Sequence, residues 1–477
     1  MSKTAIIWFR QDLRLTDNPA LIHALQNGYD IVPLYILDDD NADDWAMGGA
    51  SRWWLHHSLQ SLNKSLGGNL VIRNGDAAQI IPKLIKDIKV DAIFWNRCYE
   101  PWRIKRDKSI KESLEIETQS FNASLLWEPW EPMKPDGTPY KVFTPFYRKG
   151  CLGHSQPAET QSAPKDISYA AFDARGDIDD LKLLPDISWD AGFKDYWQPG
   201  EDGARACLKS FLGNGLSGYK ENRNRPDDEH STSRLSPHLH FGEISPRQCW
   251  HDARAVQAAG DAPENDVDHF CSELGWREFS YTQLYHQPHI TWENLQEKFN
   301  IFPWNAQRDS KDLKAWQKGQ TGIPIVDAAM RQLWQTGWMH NRCRMIVGSL
   351  LVKNLMIHWH RGEEWFWDCL IDADLANNAA SWQWIAGCGA DAAPYFRIFN
   401  PVTQGEKFDP DGDYVREFVP ELKDMPAKYI HSPWDAPNDV LQKAGVTLGD
   451  TYPAPIVDLK KSRQRALDAF TSLKDAA

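Results

Sequence analysis

Cysteine is sparse and scattered: eight residues in 477, with no C-x-x-C pair among them. That spacing excludes a Cys-rich zinc or iron–sulfur centre and offers no disulfide framework, so reduced thiols in the cytoplasm are the expected state. No metal site is expected. Positive charge is also short. Lys and Arg number 53 against 66 Asp and Glu, a formal net charge of −13. No overall basic field draws nucleic acid, and any such contact must come from a local basic patch. Long apolar runs are missing as well. The first, Ala5 to Phe9, stops at Arg10 and is too short for a signal-peptide core. The longest apolar helix, near Met345–Ile357, is broken by Lys353 and is too short to span a bilayer. A soluble, cytoplasmic protein without membrane contact is expected. No P-loop is present, which removes that device for cradling phosphate.

Tryptophan, by contrast, is plentiful at 23 residues. In that number the indoles suggest aromatic pockets or stacking surfaces as well as core. Length alone suggests two or three domains. Residues 4–130 alternate short β-branched runs (TAIIWF, DIVPLYIL, GNLVIR, VDAIFW, ASLLWE) with helical stretches. Such alternation predicts an α/β domain built on a doubly wound, five-stranded parallel sheet, with ligands at the carboxyl ends of its strands. Those ends are Phe9–Arg10, Leu37–Asp40, Asn74–Asp76 and Asn96–Glu100. Residues 131–200 read as a connector, rich in Pro, Ser, Asp and Gly beyond 150. From 201 to 477 the patterns are helical, which predicts an all-α second domain.

Two glycine fingerprints fall in that half: Gly213-x-Gly215-x-x-Gly218 and Gly387-x-Gly389-x-x-Ala392. The fingerprint binds a dinucleotide only between a strand and a helix. Both come after helical runs, and Pro394 stands too close behind the second for a helix to begin cleanly, so they are read as helix ends and turns. Gly337 to Pro401 is the densest stretch. Met345, Ser349, Leu350, Lys353 and Met356 repeat at three and four, a half-buried helix with a polar edge. Asn341, Arg342 and Arg344 crowd one turn, and Asp372, Asp374, Asn377 and Asn378 stand about 30 residues on. Polar groups beside so much apolar material must be paired or bound to something polar. A salt bridge from Arg344 to an aspartate is the plain alternative to a ligand site. Thr232, Ser233, Arg234, Leu235 and Ser236 gather hydroxyls and backbone donors ahead of a helix, an arrangement that suits a phosphate or an N-cap. Glu273, Trp276 and Arg277 share a helical face.

Long ordered motifs then carry a resemblance. WMHNRCRM (338–345), DADLANN (372–378), WQW (382–384) and DAAPYFRIFNP (391–401) resemble the flavin-binding core of the photolyase/cryptochrome family, in particular its class I-type members that repair cyclobutane pyrimidine dimers. WFRQDLRLTDNPAL (8–21), GGASRWWLHHSL (48–59), KVFTPFY (141–147) and TSRLS (232–236) extend the similarity over essentially the whole chain.

The resemblance implies FAD as cofactor. It places Tyr219, Thr232, Ser233, Arg234, Leu235 and Ser236 at the phosphates. Arg277, Asn341, Arg344, Asp372 and Asp374 would surround the ring system and ribose, with Asn378 beside flavin N5. Glu273, Trp276, Asn341, Met345 and Trp384 would form the pocket of a flipped-out dimer, for which damaged pairs cost least to extrude. The activity implied is a deoxyribodipyrimidine photo-lyase: photoexcited reduced flavin passes an electron to the dimer, the ring splits, and the electron returns. Trp382, Trp359 and Trp304 would carry electrons inward from the surface. Arg223, Arg225, Arg342, Arg397 and Lys407 are the candidates for DNA phosphates. The first domain would hold an antenna, methenyltetrahydrofolate or an 8-hydroxy-deazaflavin. Arg52 and Glu100 are candidate contacts for it, with solvent-exposed ion pairs as the rival reading. A monomer acting on damaged DNA, with no obligate protein partner, is expected. The alternative is a cryptochrome-type blue-light receptor without repair. A light-independent flavin oxidoreductase would need a nicotinamide site, which the failed glycine fingerprints do not supply.

Overall fold

The computed structural model describes residues 3–172, 174–392 and 396–475. They pack as two compact units. One comprises 1–220, 233–288 and 371–376; the other comprises 221–232, 289–370 and 377–477.

The first unit holds the expected sheet. Strands β1 (Lys3–Phe9), β2 (Tyr29–Leu37), β3 (Val71–Asn74), β4 (Ala92–Asn96) and β5 (Glu117–Phe121) run parallel in the order β3-β2-β1-β4-β5. Ala5 through Phe9 are fully buried, as both-face coverage by helices requires of a central parallel strand. Helices α1 (Pro19–Gln26), α2 (Gly49–Ser65), α3 (Ala77–Ile88) and α4 (Pro101–Ser113) make the crossovers. Their starts are legible. Asn18 caps α1 by accepting from the Leu21 amide, with Pro19 at the first helical position, and Asp76 caps α3 through the Ala78 amide.

One strand lies elsewhere than expected. ASLLWE (123–128) is apolar because it is buried, not because it is a strand. Leu125 and Trp127 are almost wholly enclosed, and the amides of Leu126 and Trp127 donate to the Glu278 carboxylate at 3.0 and 3.2 Å. The fifth strand is the polar ETQSF just before it, as suits a half-covered edge. Part of the 131–200 stretch also pairs with the sheet: Ile31 exchanges hydrogen bonds with Ser168 and Ala170, and the Ile72 amide donates to Arg175 O.

The second unit is helical. Its core helices are Pro324–Thr336, Asn341–Ser349 and Trp359–Cys369. The three-and-four pattern expected through Met356 holds to Ser349, then widens into a π turn at Leu350–Asn354, and Met356 leaves it at φ +56°. Both glycine fingerprints are helix ends. Gly213 lies inside the helix Glu201–Asn214 and Gly215 caps it, while Gly387 comes just after Leu375–Ala386 at φ +94°. Ala393 to Tyr395, within the DAAPYFRIFNP motif, lie outside the described residues. Among the described residues no helix is long and apolar enough to cross a membrane.

Candidate flavin and nucleic-acid site

In the first unit the chemistry centres on Asp374, which is buried. Its Oδ2 accepts from the Tyr281 hydroxyl at 2.5 Å and lies 3.3 Å from His240 Nδ1. Burial alone would push this carboxyl up; the hydrogen bond from His240, with help from Arg277 and Tyr281, overrides that and holds it far below the usual range. Arg277 lies 4.7 Å from the Tyr281 ring and donates to Ser124 O at 2.6 Å. Neither His240 nor Tyr281 stood out in the sequence. Each is an ordinary residue of a helix until the fold sets it against Asp374, and no local pattern signals that.

Glu273, Trp276 and Arg277 do lie on one helix, Glu264–His286. Glu273 and Trp276 are both half-buried. The face of Trp276 stacks on Phe143, centroids 3.8 Å apart and planes within 10°, and Phe143 stacks in turn on Tyr147. Gly275 makes room for this column, since a Cβ there would meet the Tyr147 ring at 2.5 Å. In the phosphate segment Arg234 takes a left-handed φ of +52° and its guanidinium lies 4.3 Å from the Trp197 ring. Leu235 is buried and Ser236 opens a short helix to His240. Ser233 Oγ accepts from the Leu235 amide at 3.4 Å, and Tyr219 packs against Phe211 and Phe270. Asp372 is buried in this unit too.

The other candidates belong to the second unit, Thr232 among them. Asn341 and Met345 occupy successive turns of one face of Asn341–Ser349, and both reach solvent to some degree. Arg344 Nε donates to Met339 O at 2.8 Å. Asn378 is buried, and its Nδ2 donates to Glu363 O at 3.1 Å. Trp384 donates to Asp391 O.

Trp382 is nearly enclosed. A Cβ on Gly362 would lie 2.1 Å from its ring, and Phe366 and Trp316 approach at 5.0 and 6.3 Å between centroids. The other two indoles donate to neutral oxygens: Trp359 to Asn294 Oδ1 and Trp304 to Val352 O, both at 2.9 Å.

The basic candidates divide. Arg225 is committed to Asp227 in a two-pronged ion pair. Arg342 donates to Asn224 through Nε and Nη2, and both Arg342 and Lys407 lie over the Phe408 ring at 4.5 and 5.1 Å. Burial, then the nearness of Arg223 and Arg397, lowers the Arg342 pKa. Arg223, Arg342, Arg397 and Lys407 therefore form one local basic cluster on an acidic chain. Of the two antenna candidates, Arg52 pairs with Asp39 at 2.6 Å and Glu100 lies 3.3 Å from Arg103, but Glu100 is buried rather than solvent-exposed.

The sequence profile described as the FAD binding domain of DNA photolyase matches residues 270–472, and that described as DNA photolyase matches residues 5–165. A deoxyribodipyrimidine photo-lyase of Agrobacterium fabrum is 48% identical over 482 residues, covering 99% of each chain. The chain belongs to the photolyase/cryptochrome family. Cryptochrome-1 of Arabidopsis thaliana is 38% identical over 98% of this chain and 70% of its own length. Among solved structures, a bacterial class III photolyase from Agrobacterium tumefaciens superposes with a TM-score of 0.94 at 47% identity, covering 100% of this chain and 98% of that one.

The donors present suit the family's flavin. An anionic Asp374 fixed by three neighbours offers a strong acceptor for ribose or ring N–H groups. The hydroxyls and backbone amides of 232–236 suit phosphate. A neutral, oriented Asn378 amide can accept from a protonated ring nitrogen without adding charge.

Acid should weaken the second unit selectively. His340 caps Asn341–Ser349 by accepting from the Arg342 amide at its unprotonated Nδ1. Burial, then Arg342 and Arg344, push its pKa down to about 3. The unfolded chain therefore binds the proton first, and stability falls as pH drops below about 6.5 and continues to fall towards 3. Between pH 6.5 and 5 the loss is about 2 kcal/mol from this residue. Urea midpoints of wild type and His340→Asn, which keeps a capping oxygen but does not titrate, should converge as the pH is lowered from 7.5 to 5. Parallel pH dependence of the two proteins would remove His340 as the cause.

Proposed function

We propose that the protein is a light-driven lyase that splits cyclobutane pyrimidine dimers in DNA, using FAD. The observation that carries this reading is the buried, oriented Asn378 amide in a chain 48% identical, end to end, to a deoxyribodipyrimidine photo-lyase. An amide at this position meets flavin N5 without supplying a proton, which favours repair over signalling. Bound FAD supplies the light-absorbing electron donor. Tyr219 and residues 232–236 bind its phosphates, and Arg277, Asn341, Arg344, Asp372, Asp374 and Asn378 hold its ring system and ribose. Trp276, Met345 and Trp384 offer apolar surface to the unstacked dimer, Asn341 a polar contact. Trp276 presents one face only, since Phe143 covers the other. Glu273 supplies the polar contact that fixes the dimer's orientation, its carboxylate accepting from the ring N–H groups.

Arg223, Arg225, Arg342, Arg397 and Lys407 bind phosphates, so affinity falls with salt. Residues 1–130 serve as the antenna domain, with methenyltetrahydrofolate or an 8-hydroxy-deazaflavin as chromophore. The protein acts as a cytoplasmic monomer.

Blue light should reverse a thymine dimer in an oligonucleotide when the purified protein carries reduced flavin. Glu273→Gln should slow this by about 10- to 100-fold, or 1.4–2.7 kcal/mol of transition-state stabilisation. No repair under light, with the flavin reduced, would favour the photoreceptor reading that the Arabidopsis relative represents.

A further inference from the structure

The second unit contains a cavity that none of these roles uses. It measures ≈ 540 Å³ and lies beside two of the three proposed electron carriers, Trp304 and Trp359. Its volume is that of a small-molecule site. Its composition changes with depth. The rim carries Trp292, 52% exposed, and the exposed carboxylates of Glu293 and Glu297. The floor is buried: Phe299, Phe302 and Trp359. One polar device crosses that floor. Asn294 Nδ2 donates to Asn300 Oδ1 at 2.8 Å while its Oδ1 takes the Trp359 N–H. Phe299 and Phe302, 6.0 and 4.6 Å away, back the half-buried Trp304 ring, which with the exposed Trp292 gives a flat ring its aromatic contact.

We propose that this cavity docks a small phenol, neutral or cationic, that serves as the one-electron donor to Trp304. The inference rests on the reading of Trp304 and Trp359 as electron carriers. Two further observations point to the donor's character. The acidic rim repels anions and attracts ammonium groups. Both indole N–H groups donate to neutral carbonyl oxygens rather than to a base, so an oxidised ring there keeps its proton and is quenched by an electron, not by deprotonation. The step balances. The phenol gives one electron to the oxidised Trp304 ring and its O–H proton to Glu293 or Glu297. Trp304 returns to its closed-shell, neutral form, the carboxylate becomes a carboxylic acid, and the phenol departs as a phenoxyl radical.

Tyramine and 4-hydroxyphenylacetate test this, being phenols of similar size and opposite charge. Titrated in the dark into the protein with its FAD, tyramine should bind saturably and about tenfold more tightly than the anion at low salt, a preference that salt should erode. Calorimetry or tryptophan fluorescence reads it. Glu293→Gln with Glu297→Gln should abolish the preference; both side chains are exposed, so folding is spared. Under blue light the flavin reduction rate should rise hyperbolically with tyramine, half-saturating near the dark Kd. Leu295→Trp, which narrows the cavity, should raise the half-saturating concentration of tyramine in both the dark titration and the light reaction. Equal binding of the two phenols, or a rate linear in tyramine, overturns the site. Undiminished reduction in Trp304→Phe with dithiothreitol as donor overturns the donor role through the carrier reading instead, whatever the dark titration shows.

Discussion

Trp382→Phe should abolish reduction of oxidised flavin under blue light, cutting its rate by at least about 100-fold, a barrier increase of about 2.7 kcal/mol or more. Phenylalanine fills most of the same space but is much harder to oxidise than an indole. The substitution therefore removes an electron carrier while keeping the packing. That packing is tight. Gly362 and Gly348 exist where they do because a Cβ would sit 2.1 Å from the Trp382 ring in one case and 3.3 Å from Ile385 in the other. Shrinking the ring leaves a modest cavity, worth about 1–3 kcal/mol of stability, which a protein of this size tolerates. Repair begun with chemically reduced flavin should survive, and this separates the supply of electrons from their use. Photoreduction of the variant at the wild-type rate would exclude Trp382 as a carrier, and the route through Trp359 and Trp304 with it.

The carriers illustrate what the sequence could and could not say. The resemblance implied them as carriers, but no pattern in the chain revealed that Phe366 and Trp316 press on Trp382, or that Trp359 is tied to Asn294, 65 residues away. Four of the five strands were legible because a parallel sheet covered on both faces demands uninterrupted β-branched and aromatic runs. The fifth was misplaced for the same reason. The rule rewards buried apolar runs, and Leu125–Trp127 is such a run, held not by a neighbouring strand but by the carboxylate of Glu278. The glycine fingerprints show the opposite case: context, not letters, decided them, and the helices that precede Gly215 and Gly387 agree. Individual cations were the least legible. Nothing near these residues in sequence shows that Asp227 pairs with Arg225, or that Arg223 lies near enough to Arg342 to lower its pKa. Long-range pairing of this kind depends on which side chains the fold happens to bring together.

The same dependence makes Asp374 the most exposed point of the flavin-binding reading. Asp374→Asn should destabilise the protein by about 2–4 kcal/mol, because it withdraws an anion that accepts from buried donors and shares in balancing the Arg277 charge. The amide is nearly isosteric, so the loss cannot be assigned to packing. His240 Nδ1 would lose its carboxylate partner, the Tyr281 hydroxyl would have only a weaker carbonyl acceptor, and Arg277, which itself helps to hold the Asp374 pKa down, would be left to Glu278, 3.8 Å away. In the wild type the sign of the pH effect comes from the depressed pKa. The stabilisation is complete above about pH 4 and is lost as acid protonates the carboxylate below it. Asp374→Asn should therefore lower the urea midpoint at pH 7 while flattening its decline below pH 4. The variant should also purify with markedly less flavin, visible as a fall in the ratio of flavin to protein absorbance. A variant as stable as wild type would mean that Asp374 is not the keystone of the cluster. One that is destabilised yet fully yellow would leave its structural role intact and take it out of the FAD site.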